Sequence, residues 1–235
     1  MMASQHAVFP TLGETSGAQG RFATLGDYWS LTKPEVNLLI LITTFAGFCL
    51  ALPSSLQRFP LLLLFNTLLG TLLVASGTGT LNQYLERHFD AQMRRTRRRP
   101  VASGRMSAWN ALWFGIALSL LGCLYLYVAA NPLASLLALS TLLSYLFVYT
   151  PLKRKTPLCT LIGALPGAMP PLIGWAAAAA RLNLEAWSLY ALLFLWQFPH
   201  FMAIAWMYRE DYARAGYLVL PLGASKSSVM ALQSV

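Results

Sequence analysis

Charge is what this sequence has least of. Asp, Glu, Lys and Arg together make up 11% of its 235 residues, where a soluble globular domain carries about 25%. So few charges cannot cover a water-soluble fold of this length, which excludes a soluble enzyme, a disordered chain and a DNA-binding domain, and with them a nucleic-acid partner. Cysteine is also scarce: Cys49, Cys123 and Cys159 all lie in or beside apolar stretches, so they read as small core residues and not as a disulfide framework. The first thirty residues hold no apolar run, so no secretory signal peptide is read there, and Glu14 and Asp27 weigh against a mitochondrial transit peptide.

What the chain has is apolar length. Hydrophobic residues make up 57% of it and fall in blocks over about 36–54, 59–82, 107–130, 132–150, 158–180 and 186–207, with the start of a seventh near Val229. About twenty such residues cross a hydrocarbon core of roughly 30 Å as a helix. The expected protein is therefore all-α: a polar cytoplasmic tail over 1–30 and a polytopic helical bundle over 31–235, set in a lipid bilayer.

The 17 basic residues outnumber the 8 acidic ones, and their placement is one-sided. With six crossings, all but Arg58 and Arg181 fall in the N-terminal tail, the second-to-third loop, the fourth-to-fifth loop or the stretch after the sixth segment. The positive-inside rule makes that side cytoplasmic, N-terminus included.

Four of the acids cluster at segment ends on this side, as Glu86/Asp90 and Glu210/Asp211. In Asn82-Gln-Tyr-Leu-Glu86-Arg-His-Phe-Asp90 the spacing of four puts Asn82, Glu86 and Asp90 on one helix face. An amide oxygen and two carboxylates suit a hard divalent cation such as Mg²⁺; the plainer reading is a solvated helix end. Arg94, Arg95, Arg97, Arg98 and Arg99 follow at once. Guanidinium groups beside a cation site describe a diphosphate site, whereas a loop that only fixes orientation or attracts anionic lipid would explain the arginines but not the aligned acids.

These residues resemble the UbiA superfamily of intramembrane aromatic prenyltransferases, whose first motif is NxxxDxxxD at the cytoplasmic end of the second helix. Within it the resemblance is greatest to the haem-farnesylating branch. It is carried by Asn82–Gly104 with Arg95–Pro100 as RTxxRP, by Tyr149–Pro157 running into Gly167–Trp175, and by Trp196–Phe201 running into Arg209–Gly216. The resemblance implies Mg²⁺ at Asn82, Glu86, Asp90 and Asp211, which would also be the catalytic set. It implies diphosphate binding by Arg94, Arg95, Arg98, Arg99, Lys153 and Arg209. Farnesyl diphosphate would be the donor and a vinyl group of haem b the acceptor, yielding the hydroxyethylfarnesyl haem called haem O for haem-copper oxidase biogenesis. A haem A synthase would then be a downstream partner, and the setting a bacterial inner membrane and not a mitochondrial one. Intramembrane His200, after Pro199, is the candidate haem contact; a hydrogen bond to a neighbouring helix is the alternative.

The chain departs from the superfamily pattern in three ways. Glu86 stands where the pattern has Asp; Tyr208 and Tyr212 stand at the two aspartate positions of the second motif, with Glu210 and Asp211 between them; and six segments plus a fragment stand against nine helices, which implies a partial or shortened sequence. A 4-hydroxybenzoate or quinone-precursor polyprenyltransferase would share the cation site. A transporter with a basic vestibule should instead place charges within its spans. The fifth segment, with Pro166, Gly167, Pro170, Pro171 and Gly174, is expected to break, either to shape a chamber or to let helices pack closely. Trp109, Trp113, Trp175, Trp187, Trp196 and Trp206 read mainly as an interfacial belt.

Overall fold

A computed structural model describes residues 23–218 apart from Leu56. The start of a seventh segment near Val229 and most of the polar tail lie outside the described residues, which form helices and connecting turns with no strand among them. Helix α1 (Leu25–Leu31) begins in a capping box, with Thr24 and Asp27 each satisfying the other's backbone N–H. It bends by 47° into α2 (Pro34–Leu50). The bend falls at Lys33, whose φ of 53° lies in the left-handed region, just before a proline that cannot continue the preceding helix.

Next come α3 (Leu61–Asp90), α4 (Ala108–Ala129) and α5 (Pro132–Leu143), the last continuing through a π-helical stretch, Ser144–Tyr149, into the short α6 (Thr150–Leu152). Helices α7 (Cys159–Gly167), α8 (Met169–Ala179), α9 (Leu184–Met207) and α10 (Arg209–Arg214) complete the described chain. Among the described residues, five helical stretches are long and apolar enough to cross a membrane, or six if the bent α1–α2 pair counts as one span. This is a multi-pass membrane protein.

Two helix ends differ from the ends of the apolar blocks. Helix α3 runs eight residues past the block that ends near 82 and carries Asn82, Glu86 and Asp90 on one face, as their spacing of four predicts, because neither Gly nor Pro interrupts it after Gly79 and its polar end packs instead of fraying. Helix α2 stops at Leu50, short of 54, since Pro53 restricts the residues before it.

The core is centred on the α7–α8 stretch, Cys159–Ala179, the most deeply buried of the membrane-capable stretches among the described residues. The fifth segment breaks at Ala168, and Pro170 and Pro171 fall in the first turn of α8, where an absent N–H costs little. The same segment also packs closely. A Cβ on Gly174 would strike the carbonyl oxygen of Thr44, and one on Gly47 that of Pro171, so α2 and α8 cross backbone to backbone. Beside this crossing, Phe48, Leu126, Leu142, Leu146 and Ile173 form the largest apolar cluster. Trp175 belongs to this interior and not to the belt, being 6% exposed, whereas Trp109, Trp113, Trp187 and Trp196 are exposed. The tryptophan on the central helix is enclosed by its neighbours.

Candidate active site at the basic end of the bundle

The last two turns of α3 carry Asn82, Glu86 and Asp90 on one face, exposed by only 2%, 5% and 1%. Buried carboxylates need charged or hydrogen-bonding partners, and here each polar side chain of the stripe meets a cation from another part of the chain. Lys33, at the α1–α2 bend, donates from Nζ to Asn82 Oδ1 at 3.0 Å. Asn82 Nδ2 in turn donates to Glu86 Oε2 at 2.8 Å and reaches Thr150 Oγ1 at 3.5 Å. Lys153, just after α6, donates to Glu86 Oε1 at 2.9 Å. Arg99 Nη1 lies 2.9 and 2.7 Å from the two carboxylate oxygens of Asp90.

Helix geometry and turn chemistry place these partners. The π-helical stretch precedes Thr150 and Lys153 and brings the Tyr145 and Tyr149 rings together at a tilt, with centroids 5.2 Å apart; π-helical turns often mark functional sites. Lys153 Nζ lies 4.6 Å from the Tyr149 ring centroid, within cation–π range. The arginine-rich loop folds back on α3 through turns, and the Thr96 hydroxyl donates to the Asp90 carbonyl at 2.9 Å. At the far end of the loop Arg105 pairs with Asp27 at 3.0 Å, tying it to α1.

Asp211 is buried at the start of α10 and faces the arginine loop. Its carboxylate accepts the backbone N–H groups of Arg94 and Arg95 at 3.2 and 3.1 Å and pairs with Arg214. Burial opposes its charge, but those amides and the Arg214 guanidinium outweigh burial and hold the carboxyl below its ordinary value.

The six basic residues expected at a diphosphate are thus distributed. Arg99 and Lys153 join the stripe. Arg94 and Arg209 line a separate cleft of about 200 Å³ together with Tyr208, Asp211 and Arg214. Arg95 sits over the Tyr208 ring at 4.7 Å, and Arg98 is exposed. His200 does not lie in the interior of the described bundle: it is exposed on α9, stacked on Trp196 with ring centroids 4.7 Å apart.

Lys33 and Tyr217 escaped sequence reasoning. Lys33 registers there only as a topological charge, although a lone lysine before Pro34 was its available signal. Tyr217, whose hydroxyl donates to Glu86 Oε1 at 2.9 Å, carries no local signal beyond following Gly216.

Among the described residues no three side chains of His, Cys, Asp and Glu gather as a metal cluster. The stripe offers two carboxylates and an amide oxygen, all facing cationic side chains. That donor set fits Mg²⁺, which is usually bound by one or two carboxylates together with substrate phosphates.

The family model described as the UbiA prenyltransferase family matches residues 40–235, and the chain belongs to that family. Relatives of one activity further place it among the protoheme IX farnesyltransferases. That of Solibacter usitatus is 52% identical over 202 residues, covering 83% of this chain and 69% of the relative. That of Koribacter versatilis is 45% identical over 203 residues, covering 86% and 66%, and that of Salinibacter ruber 44% over 211 residues, covering 90% and 74%. The chain therefore spans roughly two thirds to three quarters of their length. In fold it is similar to a digeranylgeranylglyceryl phosphate synthase (TM-score 0.70, 18% identity, covering 88% of this chain and 72% of that one). It is also similar to a UbiA homologue from Archaeoglobus fulgidus bound to GPP and Mg²⁺ (TM-score 0.69, 16% identity, covering 88% and 74%).

Proposed function

We propose that the chain transfers the farnesyl group of farnesyl diphosphate to a vinyl carbon of haem b, giving haem O. The observation that carries this reading is the buried Asn82–Glu86–Asp90 stripe facing Lys33, Lys153 and Arg99, in a chain 52% identical to a protoheme IX farnesyltransferase.

Asn82, Glu86 and Asp90 would hold Mg²⁺, whose chemistry when bound is to neutralise charge on a leaving diphosphate. Asp211 fixes the loop from which the arginines project. Lys153 and Arg99, with Arg94, Arg95, Arg98 and Arg209 around the same end, donate to phosphate oxygens as the carbon–oxygen bond breaks and the diphosphate leaves with the electron pair. Apolar helices keep water from the allylic cation, so that the haem vinyl carbon captures it; the cation this leaves on the other vinyl carbon is quenched by water, which releases a proton and leaves the hydroxyl of haem O. His200, on the Trp196 ring, is the proposed haem contact. The setting is a bacterial inner membrane with the basic end cytoplasmic, and a haem A synthase takes the product onward.

The test is direct: detergent-solubilised protein incubated with haem b, farnesyl diphosphate and Mg²⁺ yields a haem of higher mass by mass spectrometry. Asp90→Ala lowers that yield by about 100-fold or more, in the range seen when a transition-state charge stabiliser is lost. Undiminished yield from Asp90→Ala, or prenylation of 4-hydroxybenzoate in place of haem, would overturn the proposal.

A further inference from the structure

Helix α10 ends in a turn that delivers one side chain into the site. Gly216 has φ of +68°, a conformation glycine adopts without strain. The Tyr217 N–H returns to the Tyr212 carbonyl at 2.9 Å and the Gly216 N–H to the Ala213 carbonyl at 3.2 Å. This pair of bonds is the Schellman closure of a helix, and it reverses the chain just before Tyr217. Tyr217 then lies between Phe89 on α3 and Tyr212 on α10, with ring centroids 6.0 and 5.9 Å away. The next residue, Leu218, donates its N–H to the Lys153 carbonyl at 2.7 Å. Tyr217 is 7% exposed, and its hydroxyl donates to Glu86 Oε1 at 2.9 Å.

Glu86 thus has three donors of two kinds. Lys153 brings a full charge on a flexible stem, and shares Oε1 with Tyr217. Tyr217 is neutral, buried and packed against the Phe89 and Tyr212 rings. A divalent cation arriving at Glu86 competes with the Lys153 ammonium, because both seek the same negative charge, but it leaves a neutral hydroxyl donor in place. Partners behind a metal ligand orient it and tune the metal, and losing one commonly costs 10- to 100-fold in affinity or activity.

We infer that Tyr217 is a positioning residue for the divalent cation: its hydroxyl holds Glu86 in the cation-binding orientation when Lys153 gives way. The inference rests on the proposed cation role of Glu86. It also accounts for how a glutamate, one methylene longer than aspartate, is kept in register on the stripe.

The test reads cation binding without haem or prenyl donor. Mn²⁺, as a paramagnetic stand-in for Mg²⁺, is titrated into the detergent-solubilised protein and free Mn²⁺ is followed by electron paramagnetic resonance. Tyr217→Phe, which removes the hydroxyl and keeps the ring, weakens Mn²⁺ about tenfold while its thermal midpoint stays close to that of the parent. Tyr217→Ala weakens binding at least as much and also lowers the midpoint, since the packing is lost. In turnover assays, Tyr217→Phe raises the Mg²⁺ concentration for half-maximal rate, and saturating Mg²⁺ restores most of kcat. Mn²⁺ affinity of Tyr217→Phe within twofold of the parent overturns the inference, as does Glu86→Gln binding Mn²⁺ like the parent. If the tenfold loss appears while haem is never farnesylated, the positioning role stands and the substrate reading falls.

Discussion

Lys153 and Glu86 show how a membrane protein keeps a carboxylate charged under cover. Both are buried and in contact at 2.9 Å, and removing one member of such a pair strands the other. Lys153→Met is therefore expected to cost about 3 kcal/mol or more, read as a lowered thermal midpoint in detergent, with much of the loss recovered in the double variant Lys153→Met, Glu86→Gln. Asp211 makes a different claim at the same scale. Its carboxyl titrates below the ordinary range, so its stabilisation is complete above roughly pH 5 and is lost as pH falls through the folded value. The stability advantage of the parent over Asp211→Asn should hold at neutral pH and shrink toward pH 3. The acids of the stripe were legible in the sequence because a spacing of four is a physical address on a helix. Their partners were not: Lys33 lies 49 positions from Asn82 and Tyr217 lies 131 from Glu86, and no local periodicity links residues so far apart.

Among the elements, α8 was the most legible in kind and the least in detail. Its prolines announced a break, but which helix lay against Gly174 depended on tertiary packing. The crossing of α2 and α8 leaves no room for a side chain at Gly174, so Gly174→Leu is predicted to destabilise the protein by about 3 kcal/mol, measured as earlier unfolding and lower yield of monodisperse protein in detergent. The end of α3 needed two signals. Hydropathy stops near 82 where apolar residues stop, whereas the spacing of Asn82, Glu86 and Asp90 carries the helix on to Asp90.

For the molecule as a whole, the order of the apolar blocks matches that of the described helices, of which five, or six with the bent α1–α2 pair, are long and apolar enough to cross a membrane. Contacts then gather Lys33, the end of α3, Lys153 and α10 at one end of the bundle, the same end to which counting Lys and Arg assigned them. Gln92 is exposed in the loop after α3. Gln92→Cys, in a background with Cys49, Cys123 and Cys159 replaced, should react with a membrane-impermeant maleimide in inverted vesicles and not in intact spheroplasts; the opposite pattern would reverse the orientation. What composition could not convey is the division of the basic end into a stripe-facing set and a separate arginine cleft, which depends on the fold of the 91–107 loop.

The pairing of every stripe residue with a side-chain cation also separates assembly from metal supply. With Lys153 and Arg99 already paired with Glu86 and Asp90, and Lys33 hydrogen-bonded to the neutral Asn82 amide, the bundle can insert and fold without waiting for a divalent ion. A chelator should then stop turnover while leaving the melting temperature nearly unchanged. Newly made protein in a magnesium-poor cell would accumulate as intact, dormant enzyme instead of as a substrate for proteolysis, ready to start as soon as the ion returns.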